Sequence, residues 1–370
     1  MAVTATTTAQ NGATGQAHWD ALAAKAGLQR RTSSILLYSF LILVSLPIMI
    51  PYFWLGTLAF SARLESVNTV VLWQSVFILV PAVILTWIWA ILAQTRRQAL
   101  LGWGIIWIVT VAVFAVLVGP DLHLNSFRFL YNPNFNTEND TIVAAEENPG
   151  FSVTSFPWVW TAFSNSLIIA GGATFIVILI ASLSGYYISR FQYRFRTTSL
   201  AAMLILHAFP ATVLLIPIFI IMWQLGLLNT LFGVMLVIVG LELPFAVFIM
   251  KGFFDAVPWE IEMSALADGA TRRQAFFKVV LPQTYNGMIA VSVFVFIRGW
   301  EEFVFILVLS TQQAKWTMSL YTFFVYEENN LGIDFGLVSA VSLFYILPSF
   351  ILYAFAQKYL MQMNLSGVKG

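Results

Sequence analysis

Four ionisable side chains stand inside otherwise apolar stretches of this 370-residue chain: Glu242, Arg298, Glu301 and Glu302. On insertion scales a charge at the centre of a membrane span costs about 2.5–3.5 kcal/mol for Arg, Lys or Asp. Groups kept there must face a cavity, a partner or one another. Arg298 precedes Glu301 by three residues and Glu302 by four, spacings that share one helix face. Two chemistries fit. One is an ion pair within the helix that neutralises itself. The other is a face lining a solute path, where the carboxylates of Glu242, Glu301 and Glu302 accept hydrogen bonds from a polar solute and Trp300 stacks on its apolar face. Trp300 also fits plain packing, and His207, shortly before Pro210, fits a satisfied core histidine better than a ligand. Glu242, close to Pro244, is expected at a helix break. With no cysteine, disulfides and thiolate metal sites are excluded, and three scattered histidines argue against a histidine metal cluster. No nucleophile–base pair is visible, which argues against a membrane enzyme.

A second constellation runs from Asp255 to Pro282. Pro258 suits a first helical turn, and Glu260 and Glu262 complement its positive end. Gly269 tolerates the left-handed exit of that helix. Thr271 and Gln274 have capping-box spacing and start a second short helix. Phe276, Phe277 and Val280 form its apolar side, with Arg272, Arg273 and Lys278 nearby, and Leu281-Pro282 closes it. Such a helix–turn–helix is a rigid knob suited to docking in a groove of a soluble protein. An amphipathic helix lying on a membrane surface has the same composition.

Both constellations depend on apolar helices. The chain is 59% hydrophobic and 9% charged, with mean hydropathy +0.84. A soluble domain is about a quarter charged, so lipid is the solvent for most of this one. Charge-free gaps long enough to span place helices near 34–60, 67–94, 99–119, 164–189, 199–223, 231–254, 284–310 and 335–361. The polar stretch 120–157 reads as a loop. With residues 1–33 taken as a cytoplasmic tail, fourteen of the 18 Lys and Arg fall inside, three outside and Arg298 within a span. Both termini are therefore expected in the cytoplasm. A short amphipathic helix near His18–Leu28 is one reading of that tail, disorder another. The net charge of +1 argues against nucleic acid. The expected fold is all-α: a polytopic membrane protein of about eight transmembrane helices.

The 255–283 segment resembles the EAA loop of ABC importer permeases. Aligned on Gly269, the three opening positions are Met263, Ser264 and Ala265, and Val279, Val280, Leu281 and Pro282 follow at the family's spacing. Met263 stands where the family usually has Glu, with Glu262 beside it. Asn165-Ser-Leu167, the run Tyr186–Phe191, the run Leu243–Phe254, Trp300-Glu-Glu-Phe303 and the closing Val368-Lys-Gly370 also resemble the family, the last its maltose-transporter type. The resemblance covers 160–370 plus the first span, with the permease core at 160–361 and its coupling loop at 255–283, and leaves the hairpin 67–119 as an addition to a six-span pattern. It implies a carbohydrate importer in a bacterial inner membrane, with a second, different permease chain, two ATPase subunits and an extracytoplasmic solute-binding protein. It implies that Met263, Ser264, Ala265, Asp268, Gly269, Ala270, Thr271, Arg272, Gln274, Phe277, Leu281 and Pro282 meet the ATPase. The chain has no phosphate-binding loop, so ATP and Mg belong to that partner, and the chain itself is not an enzyme. The tail 362–370 is expected to add a contact there. Loop 120–157 and segment 311–332 are expected to face the binding protein or to be solvated connectors. An ion-coupled secondary transporter using the intramembrane carboxylates is the rival reading.

Overall fold

A computed structural model describes residues 50–60, 69–93, 95–132, 157–328 and 335–366, with Leu37, Phe40, Leu41, Val44, Pro47 and Ile48. The expectations for residues 1–33, for part of the first span and for most of loop 120–157 lie outside these residues. Every regular element among the described residues is helical. The chain divides into two compact units, Met1–His123 and Leu124–Gly370.

In the first unit, α1 (Ile50–Phe60) is followed by α2 (Thr69–Leu92) and α3 (Arg96–Leu117). Thr95 caps α3 by accepting from the Gln98 amide at 3.3 Å, and Trp89 Nε1 donates across the tip to the Gln98 carbonyl at 3.1 Å. Large apolar side chains such as Trp73, Phe77, Ile105 and Ile108 point outward on these helices. A helix apolar all round is built for lipid or for another apolar surface.

The second unit is built on α4 (Val159–Arg190) and α7 (Leu231–Asp255), its most extensive pairing. Small residues let them close: Ala173, Ala181 and Gly185 are buried, and a Cβ on Gly185 would sit 2.9 Å from the Lys251 amide nitrogen. Between α4 and α7 run α5 (Arg196–Ala208) and α6 (Leu215–Gln224). After α7 come α8 (Trp259–Ala267), α9 (Arg272–Gln283) and α10 (Tyr285–Glu301). The chain then forms α11 (Val304–Leu309), α12 (Met318–Glu328) and α13 (Phe335–Ser366). α10 packs on α4, α7 and α13.

Among the described residues five helices are long and apolar enough to cross a membrane, or up to seven if each of two bent pairs is one span. The predicted span 199–223 is not straight. It breaks by 89° where Phe209 (φ −71°, ψ 135°) leaves the helical region ahead of Pro210. The predicted span 284–310 divides as well: α10 stops at Glu301, and Glu302 is extended (φ −61°, ψ 123°) before α11 begins. The helix break expected near Glu242 is absent, because α7 runs unbroken through Pro244. His207 Nδ1 lies 3.2 Å from the Leu241 carbonyl beside that proline, and the imidazole stacks on Phe245. Segment 311–332 is no solvated connector over its described part. Met318, Leu320 and Tyr321 are fully buried, because Asn165 Nδ2 donates to the Ala314 and Trp316 carbonyls and Ser166 Oγ accepts from the Met318 amide.

Candidate functional site

The hairpin of α8 and α9 follows from its local chemistry. Pro258 is extended (φ −54°, ψ 137°) and stands just ahead of α8, one place earlier than the sequence reading put it. At the other end Gly269 has φ +89°, a left-handed conformation that costs a side chain heavily. Its amide donates to the Leu266 carbonyl at 3.1 Å and the Ala270 amide to the Ala265 carbonyl at 3.0 Å, which is a Schellman exit. Thr271 then opens α9 with both halves of a capping box. The Gln274 amide donates to its Oγ1 at 3.3 Å, and its own amide donates to Gln274 Oε1 at 2.9 Å.

One turn of α9 differs from the reading. Phe276–Val280 is a π turn, and the extra residue shifts the register of the helix face. Phe276 and Val280 are buried as expected, whereas Phe277 turns out and is 49% exposed. The tip therefore presents an open rim of Ser264, Asp268, Gly269, Thr271, Gln274 and Phe277, with Arg272 resting over the Phe191 ring at 5.2 Å. Pro282 is also exposed, whereas Met263, Ala265, Ala270 and Leu281 are half-buried behind the rim.

A buried clamp, in which Glu262 does more than complement the start of α8, holds this hairpin. Glu262 is fully buried. Tyr186 at the end of α4 donates to its Oε1 at 2.6 Å, and Arg190 Nε lies 3.0 Å from its Oε2. The Arg190 N–H does not line up with that oxygen, so the attraction is coulombic rather than a hydrogen bond. Arg190 also donates to the Val257 carbonyl at 2.8 Å and lies over the Trp259 ring. Around this pair, Tyr186, Phe254 and Phe276 pack ring on ring. Asp255, at the end of α7, receives Ser189 Oγ at 2.6 Å and pairs with Lys251. The hairpin, α4 and α7 are thus joined at one polar junction. A carboxylate in a first helical turn and a Tyr-x-x-x-Arg run ending a span are its only signals in the sequence.

The intramembrane groups are arranged differently from either sequence reading. Arg298 pairs with Glu242 of α7, Nε to Oε1 at 3.2 Å, and not with its helix neighbours. For Glu302 the reason is the end of α10. Glu301 is its last residue, and Glu302 has left the helix, where its Oε1 accepts from the Phe305 amide at 2.9 Å and starts α11. Glu242 is 9% exposed and Arg298 64%, so the guanidinium reaches an open face. Trp300 is 1% exposed. Its Nε1 donates to the Tyr345 carbonyl at 3.0 Å, and it stacks against Phe296 and Tyr345 with Phe163 edge-on. It braces α10 from within. Among the described residues there is no group of His, Cys, Asp or Glu that could hold a metal ion.

Residues 177–361 match the family model described as binding-protein-dependent transport system inner membrane component. The diacetylchitobiose uptake system permease protein NgcG of Streptomyces coelicolor is 32% identical over 196 residues, covering 53% of this chain and 65% of that protein. The chain thus spans just under two thirds of that relative. The diacetylchitobiose uptake system permease protein DasC of the same organism is 32% identical over 200 residues, 54% of this chain and 71% of that protein. Among solved structures, a bacterial ABC transporter involved in the import of the acidic polysaccharide alginate superposes with a TM-score of 0.60. That match has 18% identity and covers 89% of this chain and 96% of that one. At that identity the likeness is one of fold, and it joins the family match to the geometry above: this chain belongs to the family of inner membrane components of binding-protein-dependent transport systems.

Proposed function

We propose that this chain is the permease subunit of an ATP-driven importer for a carbohydrate, and that the α8–α9 hairpin is its coupling element. The observation that carries the reading is the hairpin itself. It is stiffened by a Schellman exit and a capping box, anchored by a buried Glu262–Arg190–Tyr186 clamp, and left open along a polar and aromatic rim. A force applied to that rim by a soluble partner reaches α4 and α7 without passing through a flexible joint. Rigid-body movement of those helices would alternate access to a central path. The names of the relatives, which include permeases for diacetylchitobiose and trehalose, support a saccharide as cargo.

On this reading the chain crosses a bacterial inner membrane eight times with both termini in the cytoplasm. It works beside a second permease, two ATPase subunits that hold ATP and Mg, and an extracytoplasmic binding protein. The hairpin residues named from the EAA resemblance, Met263 through Pro282, form the ATPase contact. Glu242, Glu301 and Glu302 belong to the solute path, with Trp300 behind them. Reconstitution tests this. Vesicles holding the assembled complex are expected to take up sugar only with ATP inside and binding protein outside. Uptake by this chain alone, driven by a proton or sodium gradient, would favour an ion-coupled carrier and end the reading.

A further inference from the structure

α10, α12 and α13 surround an open hollow of ≈ 430 Å³ walled by Glu301, Phe303, Thr322, Phe323, Tyr326 and Ser342, among others. Its size falls within the range of about 300–1,000 Å³ typical of small-molecule sites. Its serine and threonine hydroxyls all point their protons into the protein. Ser319 Oγ donates to the Glu302 carbonyl at 2.7 Å, Thr322 Oγ1 to Met318 at 2.8 Å and Ser342 Oγ to Val338 at 2.8 Å. Each of these three protons is committed to the protein, which leaves the oxygens as acceptors, while the phenols of Tyr326 and Tyr345 are hydroxyl donors in the same lining. Among the described residues the Glu301 carboxylate makes no hydrogen bond or ion pair, and it is exposed. The hollow therefore offers lone pairs and negative charge.

Its other lining is aromatic. Phe303 and Phe323 pack at 5.0 Å, and the Tyr326 ring is half exposed. Ring faces beside a row of acceptors match a pyranose, which presents axial C–H groups on its faces and hydroxyl donors at its edge. The position is consistent with a path through the membrane. Glu301 stands sixteen residues beyond Tyr285 along α10, roughly 24 Å at 1.5 Å per residue. That lies within a hydrocarbon core of ≈ 30 Å. The Glu242–Arg298 pair lies about one turn nearer the hairpin.

We propose that this hollow is a subsite for one ring of a neutral or amino-bearing saccharide, with Glu301 as its principal acceptor, and that it rejects acidic sugars. The proposal rests on the importer reading and narrows its cargo. A carboxylate or sulfonate on the ligand would be repelled by the Glu301 carboxylate, whose charge no ion pair among the described residues offsets, and the neutral phenols of Tyr326 and Tyr345 do not cancel that charge. The acidic polysaccharide handled by the solved neighbour belongs to the class excluded here.

Saturation-transfer NMR on the complex purified with its partner subunits into nanodiscs tests this, with N-acetylglucosamine, glucosamine and galacturonate as probes. Transfer to the first two and none to galacturonate is expected. Glu301→Gln should weaken glucosamine by about tenfold or more, as loss of a charge-assisted contact does. Tyr326→Ala should weaken both binding sugars alike, and Glu301→Lys should admit galacturonate. Co-elution of the subunits in size exclusion shows that each variant is assembled. Equal transfer to galacturonate in the wild type, unchanged transfer in Glu301→Gln and Tyr326→Ala, or no transfer to any probe overturns the subsite. The importer reading is checked separately on the wild type by vanadate trapping of nucleotide. Trapping without the sugar pattern sinks the subsite alone, and a complex that traps nothing sinks the importer reading.

Discussion

Replacing Glu262 with alanine removes one partner of an ion pair whose side chains are 0% and 6% exposed, Glu262 and Arg190 respectively. Breaking such a pair from one side costs about 3–5 kcal/mol, because the remaining charge stays buried without compensation. The Tyr186 hydroxyl loses its 2.6 Å acceptor in the same step. Arg190 keeps the Val257 carbonyl and the Trp259 ring, so the lower end of that range applies. At 1.4 kcal/mol per tenfold, a loss of about 3 kcal/mol raises the population of the detached hairpin by roughly two orders of magnitude. Amide exchange at Gly269 and Ala270, whose protons close the turn, reads that population directly. The expected result is exchange about 100-fold faster there, with little change in the α4–α7 core. The double variant Arg190→Met, Glu262→Met should recover most of the protection, since it leaves neither charge stranded. Wild-type exchange in Glu262→Ala, or a double variant as exposed as the single, would show that the clamp does not hold the hairpin.

Gly269→Ala puts a Cβ on a residue at φ +89° where no heavy atom lies within 4 Å, so its penalty is conformational alone. A left-handed alanine costs roughly 1–2 kcal/mol; the variant should still insert and assemble, with less solute moved per ATP hydrolysed in reconstituted vesicles. An unchanged ratio would separate the turn from coupling. Glu242→Ala takes the carboxylate from Arg298, whose guanidinium still reaches an open face, so the complex should melt at only slightly lower temperature. Adding Arg298→Met to it should restore the melt, and a single variant as stable as the wild type would deny the pair a structural role.

The long helices were legible because runs without charge mark them: the 231–254 prediction meets α7 at Leu231–Asp255, and 335–361 falls within α13. The hairpin was legible for a different reason. Thr271, Gln274 and Gly269 act within one turn of themselves, so their spacing carries the geometry. Where the outcome depended on distant partners, the sequence was silent. Arg298 has two carboxylates at helical spacing after it, yet its partner lies 56 residues away, and one of the two, Glu302, stands past the helix end at Glu301. Segment 311–332 looked solvated because the groups that bury it, Asn165 and Ser166, stand about 150 positions earlier. The π turn at Phe276 changes which aromatic faces outward, and nothing in the local pattern marks it. The 89° bend had a visible cause in Pro210, whereas Pro244 sits in an unbroken helix. A proline alone does not announce which outcome follows.

The chain has no cysteine, so a single Thr271→Cys gives the exposed rim of the hairpin a unique thiol. A short bismaleimide linking it to a cysteine placed in the surface groove of the ATPase subunit, in the purified complex, reads the contact on which the account depends. We predict an efficient cross-link that abolishes sugar uptake once formed, while the linker's reaction at a control thiol on the exposed face of α3 leaves uptake intact. A hairpin thiol that reacts freely with solvent reagents, reaches no ATPase subunit and leaves transport at full rate when blocked with a bulky maleimide would contradict it.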